Sequence, residues 1–209
     1  MILSENDKWL ILSPGRTGST LIITCLESSY HEVNLYLNFI RFRQGIVNPD
    51  LYVCQSHVPS SLSLVEKDAK VVLSTRDMVE SALSYCIYPK IGQLHLFPSR
   101  HENRISQLQE KIPAFYLSSE DLFWRYRKIK EFYDSLSTKL EQITTIIDYK
   151  DIKNDPAAVY SILNIPNPNN YSRLPIKNPG TYEQWITNWD EISEFVVKLE
   201  RDPLKILKR

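Results

Sequence analysis

The apolar run Trp9–Leu12 stops at a small, polar, glycine-bearing stretch, Ser13-Pro14-Gly15-Arg16-Thr17-Gly18-Ser19-Thr20, and hydrophobicity resumes in Leu21, Ile22 and Leu26. Four residues are too few for a helix and suit a buried strand, whereas Gly18 to Leu26 carries its apolar positions at helical spacing. The expectation is strand, tight loop, helix. Gly15 and Gly18 permit close backbone approach and dihedrals that other residues avoid. The first N–H groups of the helix, with the Ser19 and Thr20 hydroxyls, then point at whatever sits above its end. An anion is the natural occupant. Arg16 adds a fixed charge and a forked donor set that suits phosphate or sulfate oxygens.

The same alternation continues along the chain. Lys70–Thr75 (KVVLST) has the β-branched richness of a buried parallel strand, and Arg76-Asp77 lead from it into a helical segment reaching about Cys86. Leu51–Cys54 is a shorter strand ending in Gln55-Ser56-His57-Val58-Pro59, where Pro59 blocks continuation and leaves His57 just past the strand end. Spacing of Leu35, Phe39 and Phe42 predicts a helix within Ser28–Asp50. Ser118 and Asp121 open a long amphipathic helix carrying Leu122, Tyr126, Ile129, Tyr133, Leu136 and Leu140. Ile143–Ile147 is a further β-rich run, and Asp155-Pro156 start a helix ending near Leu163. Thr181 and Gln184 cap a final helix with Trp185, Trp189, Ile192 and Val196. Between these lie a stretch from Pro89 to Pro113, with Gly92, His95, Pro98 and His101, that suits a lid or substrate loop, and a Pro/Asn-rich connector, Pro166 to Pro179. The expectation is an α/β fold: one domain over residues 1–209 with a mostly parallel central sheet flanked by helices. Such sheets bind ligands beyond the carboxyl ends of their strands, where the loop, His57 and Arg76 all fall.

Composition constrains partners. Lys plus Arg number 25 and Asp plus Glu 25, so no overall field draws nucleic acid or an anionic membrane, and an anion site has to be local. No run approaches the ~20 apolar residues of a membrane span, and MILSENDKW lacks the basic flank and apolar core of an export signal, so a soluble cytoplasmic protein is expected. The 3 cysteines, Cys25, Cys54 and Cys86, form no C-x-x-C pair and, with the 4 histidines, show no metal-ligand spacing. Reduced thiols and no metal are the expectation.

A nucleoside-triphosphate P-loop needs four residues between its glycines and a Lys after the second; here only Arg16 and Thr17 intervene and Ser19 follows. Arg16-Thr17-Gly18-Ser19-Thr20 instead resembles the 5′-phosphosulfate loop of sulfotransferases: a basic residue, a small hydroxyl residue, Gly and two further hydroxyl residues. Arg76 and Ser84, eight residues apart in STRDMVESALSY, resemble that family's R-x-x-x-x-x-x-x-S, which reads the 3′-phosphate of 3′-phosphoadenosine 5′-phosphosulfate. CQSHVP is similar to the segment whose His, two residues before a Pro, is the general base of the cytosolic-type enzymes, although Gln55-Ser56 replace the usual Lys-Thr. DYKDIKNDP resembles the family's later strand-to-helix segment, and Lys177 matches the basic loop that covers the 3′-phosphate, with Asn178-Pro179 departing from its form.

The resemblance implies a P-loop-NTPase-like sulfotransferase fold that moves a sulfuryl group from 3′-phosphoadenosine 5′-phosphosulfate, as co-substrate and without a metal, to a hydroxyl or amine of a small-molecule or glycan acceptor. It implies catalytic roles for His57 and Arg16, and donor binding by Gly15, Arg16, Thr17, Gly18, Ser19, Thr20, Arg76, Ser84 and Lys177. Imidazole changes charge near neutral pH and so can take the acceptor's proton. Glu27 on the first helix stays open as the base, because other branches of the family use a carboxylate. Two further readings stay open: a nucleotide-binding protein of this fold without catalysis, and a small-molecule kinase, against which the missing P-loop Lys and metal-binding carboxylate motif count. Acceptor identity and oligomeric state are not legible.

Overall fold

Every residue of β1 (Trp9–Leu12) is buried, with Leu10 and Leu12 in one hydrophobic cluster and Trp9 and Ile11 in another. A strand apolar on both faces belongs inside a sheet covered on both sides. In the computed structural model, which describes residues 8–32, 39–41, 53–65, 67–91, 113–168 and 181–208, β1 is indeed central. The other strands are β2 (Phe39–Arg41), β3 (Val53–Ser56), β4 (Lys70–Thr75) and β5 (Thr145–Asp148), in the order β2-β3-β1-β4-β5. All the pairings are parallel, and Leu12 at the end of β1 lies opposite Ser56 of β3 and Leu73 of β4.

Helices cover both faces. On one side α1 (Ser19–Glu32), α4 (Tyr149–Ile152) and α5 (Ala158–Leu163) bury Ile22, Leu26, Ile152 and Val159 against Trp9, Ile11, Val53 and Val72. On the other, α2 (Met78–Ile91), α3 (Ser119–Leu136), α6 (Tyr182–Trp185), α7 (Trp189–Val196) and α8 (Pro203–Leu207) enclose Leu10, Leu12, Val71 and Leu73. In α3 the expected stripe Leu122, Tyr126, Ile129, Tyr133 and Leu136 is buried, and the Ser118 hydroxyl caps the helix by accepting the Glu120 N–H at 3.2 Å. Leu140 lies beyond it, in a 3-10 turn.

Several boundaries differ from expectation for physical reasons. Phe39–Arg41 is not helical: it pairs with β3, Phe39 opposite Val53 through Arg41 opposite Gln55, so ladder hydrogen bonds override a helical spacing of apolar residues. β3 ends at Ser56 rather than Cys54, and α2 continues through Pro89, which falls in the last turn and so removes a bond near an end rather than in mid-helix. The expected final helix is two. Phe115 N–H donates to Trp185 O at 2.9 Å and Thr187 N–H to Phe115 O at 3.0 Å, while Asn188 bonds both backbone groups of Leu117. Those cross-segment bonds replace the i→i−4 bonds that a continuous helix would need. α5 starts at Ala158, two residues after Pro156, and neither α4 nor α8 was signalled by periodicity. Leu35, Phe42, Leu51, residues 92–112 with His95 and His101, and Lys177 lie outside the described residues.

Candidate functional site

The carboxyl ends of β3, β1, β4 and β5 stand side by side, and each delivers a component. After β1, the Ser13 N–H donates to Ser56 O at 3.0 Å, and the Gly15 N–H donates to Ser13 Oγ at 3.2 Å. The loop then takes a left-handed course, with φ of 91° at Gly15, 58° at Arg16 and 89° at Gly18. Glycine is required twice. A Cβ at Gly15 would overlap the Tyr85 hydroxyl, itself held by donation to Pro14 O at 2.8 Å, and one at Gly18 would lie 2.7 Å from the Tyr149 ring. Arg16 has no such freedom, and its left-handed backbone costs about 1–2 kcal/mol. Strain of this kind is held in place by surrounding contacts and collects at functional loops. Thr17 is fully buried; its carbonyl accepts from Ser74 Oγ at 2.7 Å, while its Oγ1 has no hydrogen-bond partner among the described residues. Leu21 and Ile22 N–H groups donate to Gly18 O, so α1 starts directly from the loop, with Ser19 and Thr20 in its first turn.

Arg76, the first residue after β4, donates from Nη1 to the Arg16 carbonyl at 3.1 Å and from Nη2 to Glu80 Oε2 at 2.8 Å. Its guanidinium lies 4.7 Å from the centre of the Tyr149 ring, which follows β5. Arg16 donates from Nε to Ser84 Oγ at 3.1 Å and rests 5.0 Å from the Tyr88 ring centre, both on α2. Arg16 and, 60 and 68 residues on, Arg76 and Ser84 therefore form one chain of contacts. Burial first, and then the Arg76 charge, pull the Arg16 guanidinium below its ordinary pKa, against the favourable effect of Tyr85, Tyr88 and Tyr149. Among the described residues no carboxylate lies within ion-pair distance of Arg16. Glu80 pairs with Arg76, lies 3.9 Å from Arg201 Nη2, and is itself oriented by the Tyr182 hydroxyl, which donates to Oε2 at 2.7 Å. Asp77 does not pair with Arg76; it caps α2 by accepting the Val79 and Glu80 N–H groups and pairs with Arg201. Two half-buried cations, of which only Arg76 has a carboxylate partner among the described residues, favour occupation by an anion.

His57 follows β3 directly, is exposed, and reaches back to the loop: Nδ1 is 2.9 Å from Ser13 O and 3.1 Å from Ser13 Oγ. A carbonyl only accepts, so the shorter contact requires the proton on Nδ1 and leaves the Nε2 lone pair of the neutral ring available. Glu27 lies eight residues beyond Ser19 in α1, about 12 Å of helix rise from the loop. The structure thus gathers Gly15 to Thr20, His57, Arg76 and Ser84, and leaves Glu27 apart.

Sequence reasoning missed Ser13, Gln55, Glu80, Tyr85, Tyr88, Tyr149 and Tyr182. Tyr149 had a signal, as the residue directly after the β5 run in DYKDIKNDP, and Gln55 as the departure from Lys-Thr; the rest contribute through contacts that no local pattern announces. Among the described residues no group of His, Cys, Asp and Glu is arranged to hold a metal, and no helix is long and apolar enough to cross a membrane. Compared with known proteins, the chain matches no protein-family model and no curated protein sequence.

Proposed function

We propose that the chain is a sulfotransferase, moving a sulfuryl group from 3′-phosphoadenosine 5′-phosphosulfate to a hydroxyl or amine of an acceptor. The observation that carries this reading is the linked Arg76, Arg16 and Ser84 beside a strained, glycine-bearing loop. In this reading the 5′-phosphosulfate lies over the loop and the start of α1, and the 3′-phosphate at Arg76 and Ser84. The residues suit such a donor: among the described residues the Arg16 guanidinium has no carboxylate partner, and the buried Thr17 hydroxyl in the loop has no hydrogen-bond partner.

In this scheme the acceptor oxygen or nitrogen attacks sulfur as its proton passes to His57 Nε2. The new bond to sulfur forms, and the bond from sulfur to the 5′-phosphate oxygen breaks. 3′-Phosphoadenosine 5′-phosphate leaves with the added negative charge, which the loop and Arg16 stabilise. Transfer of this kind has a loose transition state, so positioning and charge stabilisation carry most of the catalysis. The acceptor is a small molecule or a glycan, and the nucleotide is the one co-substrate required.

Thermal unfolding tests the reading, with EDTA in the 3′-phosphoadenosine 5′-phosphate arm and magnesium in the ATP arm. 3′-Phosphoadenosine 5′-phosphate at about 100 times its Kd should stabilise the fold by about 2.7 kcal/mol without magnesium. Stabilisation by ATP with magnesium and none by 3′-phosphoadenosine 5′-phosphate would point to a kinase and overturn it. Nucleotide binding with no transfer of labelled sulfate to a broad panel of hydroxyl and amine acceptors favours a binding protein.

A further inference from the structure

We infer that Gln55 is a positioning residue, which fixes the Ser19 hydroxyl as a hydrogen-bond donor to the 5′-phosphate of the nucleotide; this rests on the donor site proposed above. Gln55 Nε2 lies 2.7 Å from Ser19 Oγ, and both side chains are buried, at 9% and 4% exposure. The carboxamide nitrogen only donates, so Ser19 Oγ accepts here and its single O–H has to be spent elsewhere. Other hydroxyls of α1 spend theirs on the helix: Thr24 and Ser28 donate to the carbonyls of Thr20 and Thr24, each at 2.8 Å. Ser19 is the first residue of α1 and has no helical carbonyl four residues before it. Its proton is therefore left for the space above the loop, where the helix N-terminus also favours negative charge.

Gln55 occupies the place from which this can be done. It pairs in register with Ile11 of β1, and Ile11 and Val53 belong to the hydrophobic cluster under α1, so the carboxamide is a polar group set at the upper edge of an apolar face. Burial there is costly without a partner, and Ser19 is that partner. Because the carboxamide is neutral, it orders the hydroxyl without adding charge.

The test uses calorimetric titration of the full chain in EDTA with two probes. 3′-Phosphoadenosine 5′-phosphate carries both phosphates, and adenosine 3′-phosphate lacks the one that Ser19 would meet. Gln55→Glu reverses the bond, since a carboxylate makes Ser19 the donor to position 55; it should weaken the first probe about 10- to 100-fold and leave the second unchanged. Because a new charge also repels phosphate, and because that variant is the one at risk of not folding, the decisive comparison uses Gln55→Met, similar in size and neutral. Gln55→Met should cost several-fold in the wild-type background and nothing when Ser19 is already Ala, the non-additivity of two residues acting as one unit. Equal losses from Gln55→Met in both backgrounds, or equal weakening of both probes by Gln55→Glu, overturn the inference alone. Failure of the wild type to bind either probe overturns the nucleotide reading and the inference with it.

Discussion

Arg76 meets a carbonyl, a carboxylate and an aromatic face with one guanidinium, through Arg16, Glu80 and Tyr149. A residue so tethered is fixed before any ligand arrives, which reduces the ordering cost of binding. His57 is tethered through Nδ1, and among the described residues no hydrogen bond engages Nε2, the arrangement that the proposed general base needs. His57→Ala should lower turnover by about 10²- to 10⁴-fold while affinity for 3′-phosphoadenosine 5′-phosphate stays unchanged, as steady-state kinetics and calorimetry together would report. Should Glu27→Gln abolish turnover with His57→Ala still active, the base has been misassigned. Gly15→Ala should destabilise by at least about 1–2 kcal/mol from its left-handed backbone, with further loss from displacement of Tyr85, measured by chemical denaturation. A wild-type midpoint would mean that the loop relaxes at no cost. At this scale the sequence exposed what is local: the loop, the strand-end His57 and the Arg76–Ser84 spacing. Glu80, Tyr85 and Tyr182 escaped because a partner's identity depends on which helices meet, and their neighbours in sequence give no sign of it.

Elements show the same division between local and non-local signal. β4 and α3 were legible because unbroken β-branched burial and a buried stripe each select one structure. β2 was not, since three residues on a sheet edge take their conformation from β3, and α6 and α7 were read as one helix because Phe115 and Asn188 act from outside their sequence window. For α3, Ile129→Ala should cost about 2–5 kcal/mol in denaturant unfolding, and Ser118→Ala about 1 kcal/mol. Costs near zero would show that α3 does not hold the face that α2 and Leu73 share. On α2, burial alone would raise the Glu80 pKa, but the Tyr182 hydroxyl and Arg76 outweigh it and hold the carboxyl below its ordinary 4.5. A depressed carboxyl contributes stability that is complete well above pH 4.5 and is lost as the pH falls through the folded value. Glu80→Gln should therefore reduce the loss of stability between pH 5 and lower values, read from unfolding midpoints; an unchanged acid profile would show that the pair is not maintained in solution.

For the molecule as a whole, the consequential fact is the strand order. β1 stands between β3 and β4, so the chain leaves it toward one edge and later returns on its other side, and the connections diverge at the carboxyl end of β1, where sheets of this kind bind ligands. Residues 13 to 20, His57, Arg76 and Tyr149 all follow the carboxyl ends of neighbouring strands. Alternation of strands and helices made the parallel sheet readable from sequence, and the sheet made convergence of the motifs inexpensive, because each motif already sat at a strand end. A place for the proposed acceptor was not readable, since such pockets are shaped by connections between elements and carry no fixed spacing. The central claim is that Arg76, with Ser84, reads a 3′-phosphate. Its most direct measurement is the affinity of wild type and Arg76→Ala for 3′-phosphoadenosine 5′-phosphate and for adenosine 5′-phosphosulfate, by calorimetry in EDTA. The expected result is a loss of about 2–5 kcal/mol for the first ligand and almost none for the second, because only the first carries the 3′-phosphate. Equal losses for both ligands, or none for either, would contradict it.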